Sequence, residues 1–195
     1  MPKCRYASSA SIAIIVVNWN AGSQLASCID SIDQYGGEEV AEVIVVDNGS
    51  IDGSESIAEN RLGVTLVRQG ANLGFAQACN VGAKLSSREY LLFLNPDAAL
   101  FENTLRVVLA FMRDTRNLDV GICGVQLVGK TGRVERTCAR FPNSYSLLMH
   151  SIGIDRIIPK LGYVMAEWDH GQTCRVPHVM GAFFMVRSDV FDTLG

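Results

Sequence analysis

Two kinds of apolar run alternate along the first 115 residues. Residues 12–17, 43–46 and 90–94 are apolar without alternation, the mark of short strands buried on both faces, and residues 64–67 read as a further strand among them. Between them, apolar positions recur at helical spacing. Leu25, Cys28, Ile29 and Ile32 predict a helix ended by Gly36-Gly37; residues 54–60 predict a short polar helix and residues 75–86 a small-residue helix. Leu105, Val108, Leu109 and Met112 mark a helix after the fourth strand. Four strand–helix units in succession imply right-handed crossovers and a doubly wound, mainly parallel α/β sheet. Beyond residue 120 the pattern changes. Residues 120–128 read as one strand, 129–132 as a turn and 133–137 as the returning strand of a hairpin. Residues 144–161 have a loose helical period broken by Pro159, 167–171 form a polar loop, and 181–186 are a further apolar strand. Ser188 is placed to cap a helix that the last residue, Gly195, interrupts, so the sequence reads as a piece of a longer chain.

In a sheet of this class the carboxyl ends of the strands point the same way, and ligands bind beyond them. Polar residues stand at all four ends: Asn18-Trp19-Asn20, Asp47-Asn48, residues 68–74, and Asn95-Pro96-Asp97. Pro96 stiffens its turn and holds Asp97 beyond the sheet, where a carboxylate suits a hard divalent cation bound together with substrate phosphates. The same residue also reads as an N-cap for the helical pattern that starts near Phe101. Asp47 could receive hydrogen bonds from a ribose hydroxyl or a base imide, or close an Asx turn onto Gly49 or Ser50. Trp19 could stack on a base or pack in the core. Arg68 could meet phosphate or remain a solvated loop charge.

Composition narrows the classes. The 195 residues are 48% hydrophobic and 19% charged, which supports one domain with a substantial core. A formal net charge of -3 with no basic run gives no footprint for nucleic acid. The apolar runs are too short to span a bilayer. Lys3 and Arg5 precede a run too short for a signal-peptide core, which points to the cytosol. The six cysteines, at 4, 28, 79, 123, 138 and 174, form no C-x-x-C pair and read as reduced, largely structural thiols. Residues 124–131, GVQLVGKT, satisfy the P-loop expression, but Val-Gln-Leu-Val favours a strand and no helix start follows, so the match reads as coincidence. No G-x-G-x-x-G follows the first strand. His150, His170 and His178 lack ligand spacing and read as structural, although Asp169-His170 lies in a loop able to border a substrate.

Taken in order, Val16-Val17-Asn18-Trp19-Asn20, Val45-Val46-Asp47-Asn48-Gly49-Ser50, Asn72-Leu73-Gly74-Phe75-Ala76 with Asn80, Leu94-Asn95-Pro96-Asp97 and Gly181-Ala182-Phe183-Phe184-Met185-Val186-Arg187 resemble the inverting family 2 glycosyltransferases of GT-A fold. The resemblance runs from about Ile12 to the end and is greatest to the rhamnosyltransferase-like branch, which builds cell-surface polysaccharide. It implies a single GT-A domain over 1–195, with a nucleotide-sugar-binding half at 12–117 and a partial acceptor-side half at 118–195. It implies that Asn18, Trp19, Asp47, Arg68, Asn72, Gly74, Asn95 and Asp97 bind the nucleotide-sugar. Trp19 would lie against the base, Asp47 would read base or ribose, and Arg68 would lie near the nucleotide. Asn95-Pro96-Asp97 stands in place of the D-x-D motif, with Asp97 the ligand for Mg²⁺ or Mn²⁺. Asn95 replaces the first Asp of that motif, and an amide is a weaker ligand than a carboxylate for a hard cation.

The implied reaction moves L-rhamnose from dTDP-rhamnose, or another sugar from a UDP-sugar, to a glycan or polyprenyl-linked glycan with inversion. The family's general base falls beyond Gly195, with Asp169 the fallback inside the sequence. The alternative is a nucleotide-sugar-binding piece without turnover. The resemblance further suggests a cytoplasmic protein at the inner face of the plasma membrane, with peripheral membrane association of the full-length protein.

Overall fold

The computed structural model describes residues 10–154, 157–165 and 167–194. The expectations at Cys4, Lys3, Arg5 and Gly195 fall outside them. At its centre lies β1 (Ile12–Asn18), with all seven residues buried. It pairs in parallel with β2 (Val40–Asp47) on one side and β4 (Tyr90–Leu94) on the other. Beyond β2 lies β3 (Val64–Arg68), again parallel. The second strand begins three residues earlier than its apolar run. Pairing with β1 from Ile12↔Val40 extends the ladder across Glu42, whose carboxylate is occupied by the Ser86 hydroxyl at 2.6 Å.

Both faces of this sheet are covered, as non-alternating strands require. Ala13, Ile15 and Val17 of β1 cluster with Ala78, Cys79 and Ala83 of α3 (Phe75–Ala83). Gly82 permits that approach, because a Cβ there would lie 2.5 Å from Ile15 Cγ2. The expected extension of α3 to residue 86 is replaced by turns from Lys84 onward. Helix α1 (Ser23–Tyr35) buries Leu25, Cys28, Ile29 and Ile32, and α4 (Thr104–Arg113) buries Leu105, Val108, Leu109 and Met112. The short polar helix is α2 (Glu55–Glu59).

The apolar run at 120–128 is not one strand. It divides into β5 (Ile122–Cys123) and β6 (Leu127–Val128), which belong to different sheets. Each half takes a different partner, a choice that apolar composition does not carry. β6 forms a hairpin with β7 (Val134–Glu135), shorter than the expected 133–137, and α5 (Ser144–Ser151) follows. The last strand, β8 (Phe183–Arg187), runs antiparallel between β4 and β5. The main sheet therefore has the order β3-β2-β1-β4-β8-β5. Arg187 secures this edge: Nε donates to Val120 O at 2.9 Å, Nη1 to the Tyr90 hydroxyl at 3.1 Å, and Nη2 to Met112 O. Ser188 is the first residue of α6 (Ser188–Leu194), and its hydroxyl donates to Arg88 O instead of capping the helix.

The chain forms two compact units, 1–123 with 181–195, and 124–180. In the second, His170 is a structural pin. It is buried, its Nε2 accepts from Cys138 N–H at 3.3 Å, its carbonyl accepts from Gln126 Nε2 at 3.0 Å, and its ring stacks on Trp168 at 4.2 Å. Lys130 and Thr131 occupy the hairpin turn, where Gly129 N–H bonds Arg133 O, and no helix follows. That is the geometry of a coincidental P-loop match.

Candidate functional site

The sheet register brings three predicted residues into one row: Asn18 of β1 lies opposite Asp47 of β2, which lies opposite Arg68 of β3. Their environments differ. Asn18 is 0% exposed, and its Nδ2 lies 2.9 Å from Asp47 Oδ1, 3.0 Å from Ser50 Oγ and 2.8 Å from Ser54 Oγ. Asp47 is 4% exposed, and its second oxygen accepts from Ser50 N–H at 3.2 Å. The Asx-turn role is therefore present. Together these two side chains form the foundation under the loop that follows β2. Arg68 turns away to Glu59 at 2.9 Å, and that hydrogen bond holds its guanidinium pKa above the ordinary value.

Above this foundation the loops interlock. Asn48 Nδ2 donates to Asn72 Oδ1 at 2.9 Å, Asn48 Oδ1 accepts from Leu73 N–H at 3.0 Å, and Asn72 Oδ1 also accepts from Gly74 N–H at 3.0 Å. The loop after β2 is thereby tied to the loop after β3. Gly49, at φ +80, lets them meet, since a Cβ there would lie 2.7 Å from the Ala71 carbonyl carbon. On the other side Asn20, held at φ +53, accepts Ile51 N–H at 2.8 Å through Oδ1 and donates its own N–H to Ser50 Oγ at 3.0 Å. Asp52 reaches across to Gly22 N–H at 2.9 Å, the residue just before α1. Its carboxyl is held below the ordinary value chiefly by the Ser54 hydroxyl, then by the Ser54 and Gly22 amides.

The turn after β4 rests on α1. Cys28 Sγ donates to Asn95 O at 3.6 Å, and Ser31 Oγ accepts from Leu100 N–H at 3.0 Å. The Cys28 thiol is pushed up to about 12, by burial first and by the charge of Asp97 second. Asp97 itself is exposed. It does not cap the next helix, because α4 begins at Thr104 after Asn103.

These loops enclose a cleft of about 340 Å³, within the size range of small-molecule and cofactor sites. Trp19, Asn72, Asn95 and Asp97 line it together, joined by Asn20, Ala21, Gln24, Asn48, Phe75 and Pro96. Trp19 is 57% exposed, so it is a cleft wall and not a core residue. Asn18 and Asp47 are buried behind the walls, Gly74 is exposed but not part of the cleft lining, and Arg68 is turned elsewhere. Asn20, Asn48, Phe75 and Pro96 adjoin recognisable polar motifs and could have been inferred from them. Ala21 and Gln24 carry no local signal, since the fold of the α1 entrance brings them to the cleft. Asp169 lies in the other unit, where its carboxylate accepts from Gly171 N–H at 2.9 Å.

Among the described residues no group of three or more His, Cys, Asp or Glu is arranged to hold a metal ion. Asp97 fits one only as part of a shared shell. It offers a single exposed carboxylate on a cleft wall, to which a ligand's phosphates and water would add the remaining oxygens.

A mainly parallel sheet with helices on both faces and an open cleft beyond its carboxyl edge is an α/β fold of the GT-A type. Residues 13–195 match glycosyl transferase family 2, and the chain belongs to that family. It is similar to a PGL/p-HBAD biosynthesis glycosyltransferase of Mycobacterium bovis, at 33% identity over 113 residues that cover 55% of this chain and 44% of the relative. Among solved structures it is similar to the mannosyltransferase PcManGT from Pyrobaculum calidifontis in complex with GDP-Man and Mn²⁺. There the TM-score is 0.62 at 21% identity, over 95% of this chain and 46% of the other. It is also similar to S. aureus TarS in complex with UDP-GlcNAc, with a TM-score of 0.55 at 24% identity, over 70% of this chain and 38% of the other. The chain thus spans less than half the length of each of these proteins.

Proposed function

We propose that the cleft binds a nucleoside-diphosphate sugar and that the whole protein transfers the sugar, with inversion, to a hydroxyl of a glycan or lipid-linked glycan in cell-surface polysaccharide synthesis. The observation that carries this reading is the convergence of Trp19, Asn48, Asn72, Phe75 and the Asn95-Pro96-Asp97 turn on one cleft. An indole face offers stacking area to a base. Asn48, buried beneath, fixes Asn72 through its Oδ1, so the exposed Asn72 can present its Nδ2 to a ribose at little further ordering cost. Asp97 faces the opening where a diphosphate would lie. A divalent cation held there by Asp97 and the phosphates, Mg²⁺ or Mn²⁺, would offset the charge that develops on the leaving diphosphate. Relatives with GDP-Man and Mn²⁺ or with UDP-GlcNAc in this fold support a nucleotide-sugar donor. L-Rhamnose from dTDP-rhamnose is the donor we favour, with a UDP-sugar the alternative; the motif resemblance supports it.

Asp97 is the sole carboxylate lining the cleft among the described residues. We assign it to the diphosphate, which leaves deprotonation of the acceptor to another group. Asp47 and Asn18 act through position: buried behind the wall, they hold the Ser50 loop and hence Asn20 and Trp19. Calorimetric titration with UDP, dTDP and ATP, with and without Mn²⁺, tests the reading. A diphosphate should bind with metal and lose that binding in Asp97→Ala. Binding of ATP alone, or unchanged diphosphate binding in the variant, refutes it.

A further inference from the structure

Parallel pairing continues one residue past the strand ends. Asn48 N–H bonds Asn18 O at 2.8 Å and Gln69 N–H bonds Asp47 O at 2.9 Å. Beyond the row of Asn18, Asp47 and Arg68 there is therefore a second row of Trp19, Asn48 and Gln69. Side chains alternate between the faces of a sheet along each strand. Val17, Val46 and Val67 pack on the α3 face, and Trp19, Asn48 and Gln69 are the next positions on that face. Arg68 belongs to the opposite one, where Glu59 of α2 holds it. The cleft opens on the α3 face, since Val17, Trp19, Asn48 and Phe75 all line it. Gln69 thus ends a row whose other members are cleft walls, although it is not itself among the lining residues.

In this row Gln69 is the residue with nothing to bond. It is partly exposed, yet its Nε2 and Oε1 are both covered, and neither has a hydrogen-bond partner among the described residues. Asn48 beside it is bonded at both side-chain atoms. A covered amide without partners is destabilising, and such local conflicts concentrate at functional sites. It also has no bond to break when a ligand arrives. An amide offers a donor and an acceptor side by side, which matches the adjacent C=O and N–H of a uracil or thymine imide. A strand spacing of about 4.8 Å puts Gln69 about 10 Å from Trp19 along the row. A base stacked on the indole and lying across Asn48 would direct its polar edge at Gln69.

We propose that Gln69 receives the hydrogen-bonding edge of the donor's pyrimidine base, turning its amide toward the cleft when the nucleotide binds. This rests on the nucleotide-sugar reading of the cleft. The test is calorimetric titration of the parent and Gln69→Leu with UDP, N3-methyl-UDP and inorganic pyrophosphate, all with Mn²⁺. The parent should bind UDP about tenfold or more tighter than N3-methyl-UDP, whose imide has lost its N–H. Gln69→Leu should lose that advantage and bind the two nucleotides alike, while its affinity for pyrophosphate equals the parent's. Thermal melting supplies a readout that a structural role would move: no bond is removed, so Gln69→Leu should melt at or above the parent's Tm. Unchanged UDP affinity in the variant, an equal loss for UDP and pyrophosphate, or a lowered Tm overturns the inference and leaves the reading of the cleft standing. A parent that binds no nucleoside diphosphate refutes that reading, and this inference with it.

Discussion

Replacing Asn18 with Ala removes the one amide that holds the strand-end foundation together. Its Nδ2 faces three acceptors, the Asp47 carboxylate and the Ser50 and Ser54 hydroxyls, at 2.8–3.0 Å in a site with no solvent exposure. Two N–H groups serve at most two full bonds. The bond to a charged acceptor is worth about 1.5–3 kcal/mol and the one to a hydroxyl about 0.5–1.5 kcal/mol, so the loss is about 2–4.5 kcal/mol. For a chain of this size that lowers Tm by roughly 5–15 °C. Asn18→Asp is the sharper probe. It sets an oxygen where Nδ2 now lies 2.9 Å from Asp47 Oδ1, so one of the two carboxyls must keep a proton in the folded state. A folded pKa raised above the unfolded value of about 3.9 gives stability present below that value and lost as pH rises through the folded pKa. The Asp variant should therefore be closer to the parent near pH 4 than near pH 7, by urea denaturation at both pH values. An Asn18→Ala loss of under about 0.5 kcal/mol, or an Asn18→Asp deficit that does not grow with pH, would refute the reasoning.

Other consequences are equally direct. Gly49→Ala forces a Cβ within 2.7 Å of the Ala71 backbone at φ +80 and should cost about 1–3 kcal/mol, with loss of nucleotide binding in the titration above. Asp52 has its pKa depressed by the Ser54 hydroxyl and by amides, so its contribution is present above the unfolded pKa and lost as pH falls through the folded one. Asp52→Asn should flatten the acid limb of the stability–pH curve, and an unchanged limb would exclude this role. Burial pushes the Cys79 thiol, like that of Cys28, up to about 12, whereas Cys174 is exposed. A disulfide reagent read by mass spectrometry should modify Cys174 in the folded chain and leave Cys28 and Cys79 until denaturant is added.

Much of this molecule was legible in the order of its residues. Runs buried on both faces, each followed by a helical period, implied a parallel sheet, and a parallel sheet gathers its polar strand ends on one edge. Trp19, Asn72, Asn95 and Asp97 meet there as that geometry requires. Those inferences succeed because strand composition, helical period and a Pro-stiffened turn are local properties. Partner choice is not local. Nothing in residues 120–128 says that two of them join β8 while two others join a hairpin, and nothing in 181–186 gives β8 its antiparallel direction. The same limit applies at the cleft. A polar residue at a strand end could turn outward to a ligand or inward to a neighbour, and the neighbours come from other loops. Ser50 and Ser54 draw Asn18 inward, Glu59 draws Arg68 aside, and the entrance to α1 brings Gln24 to the wall. The sequence by itself determined which polar residues gather at the carboxyl edge of the sheet; the tertiary structure decided which of them line the cleft and which support its walls, because that depends on hydrogen-bond partners that only folding supplies.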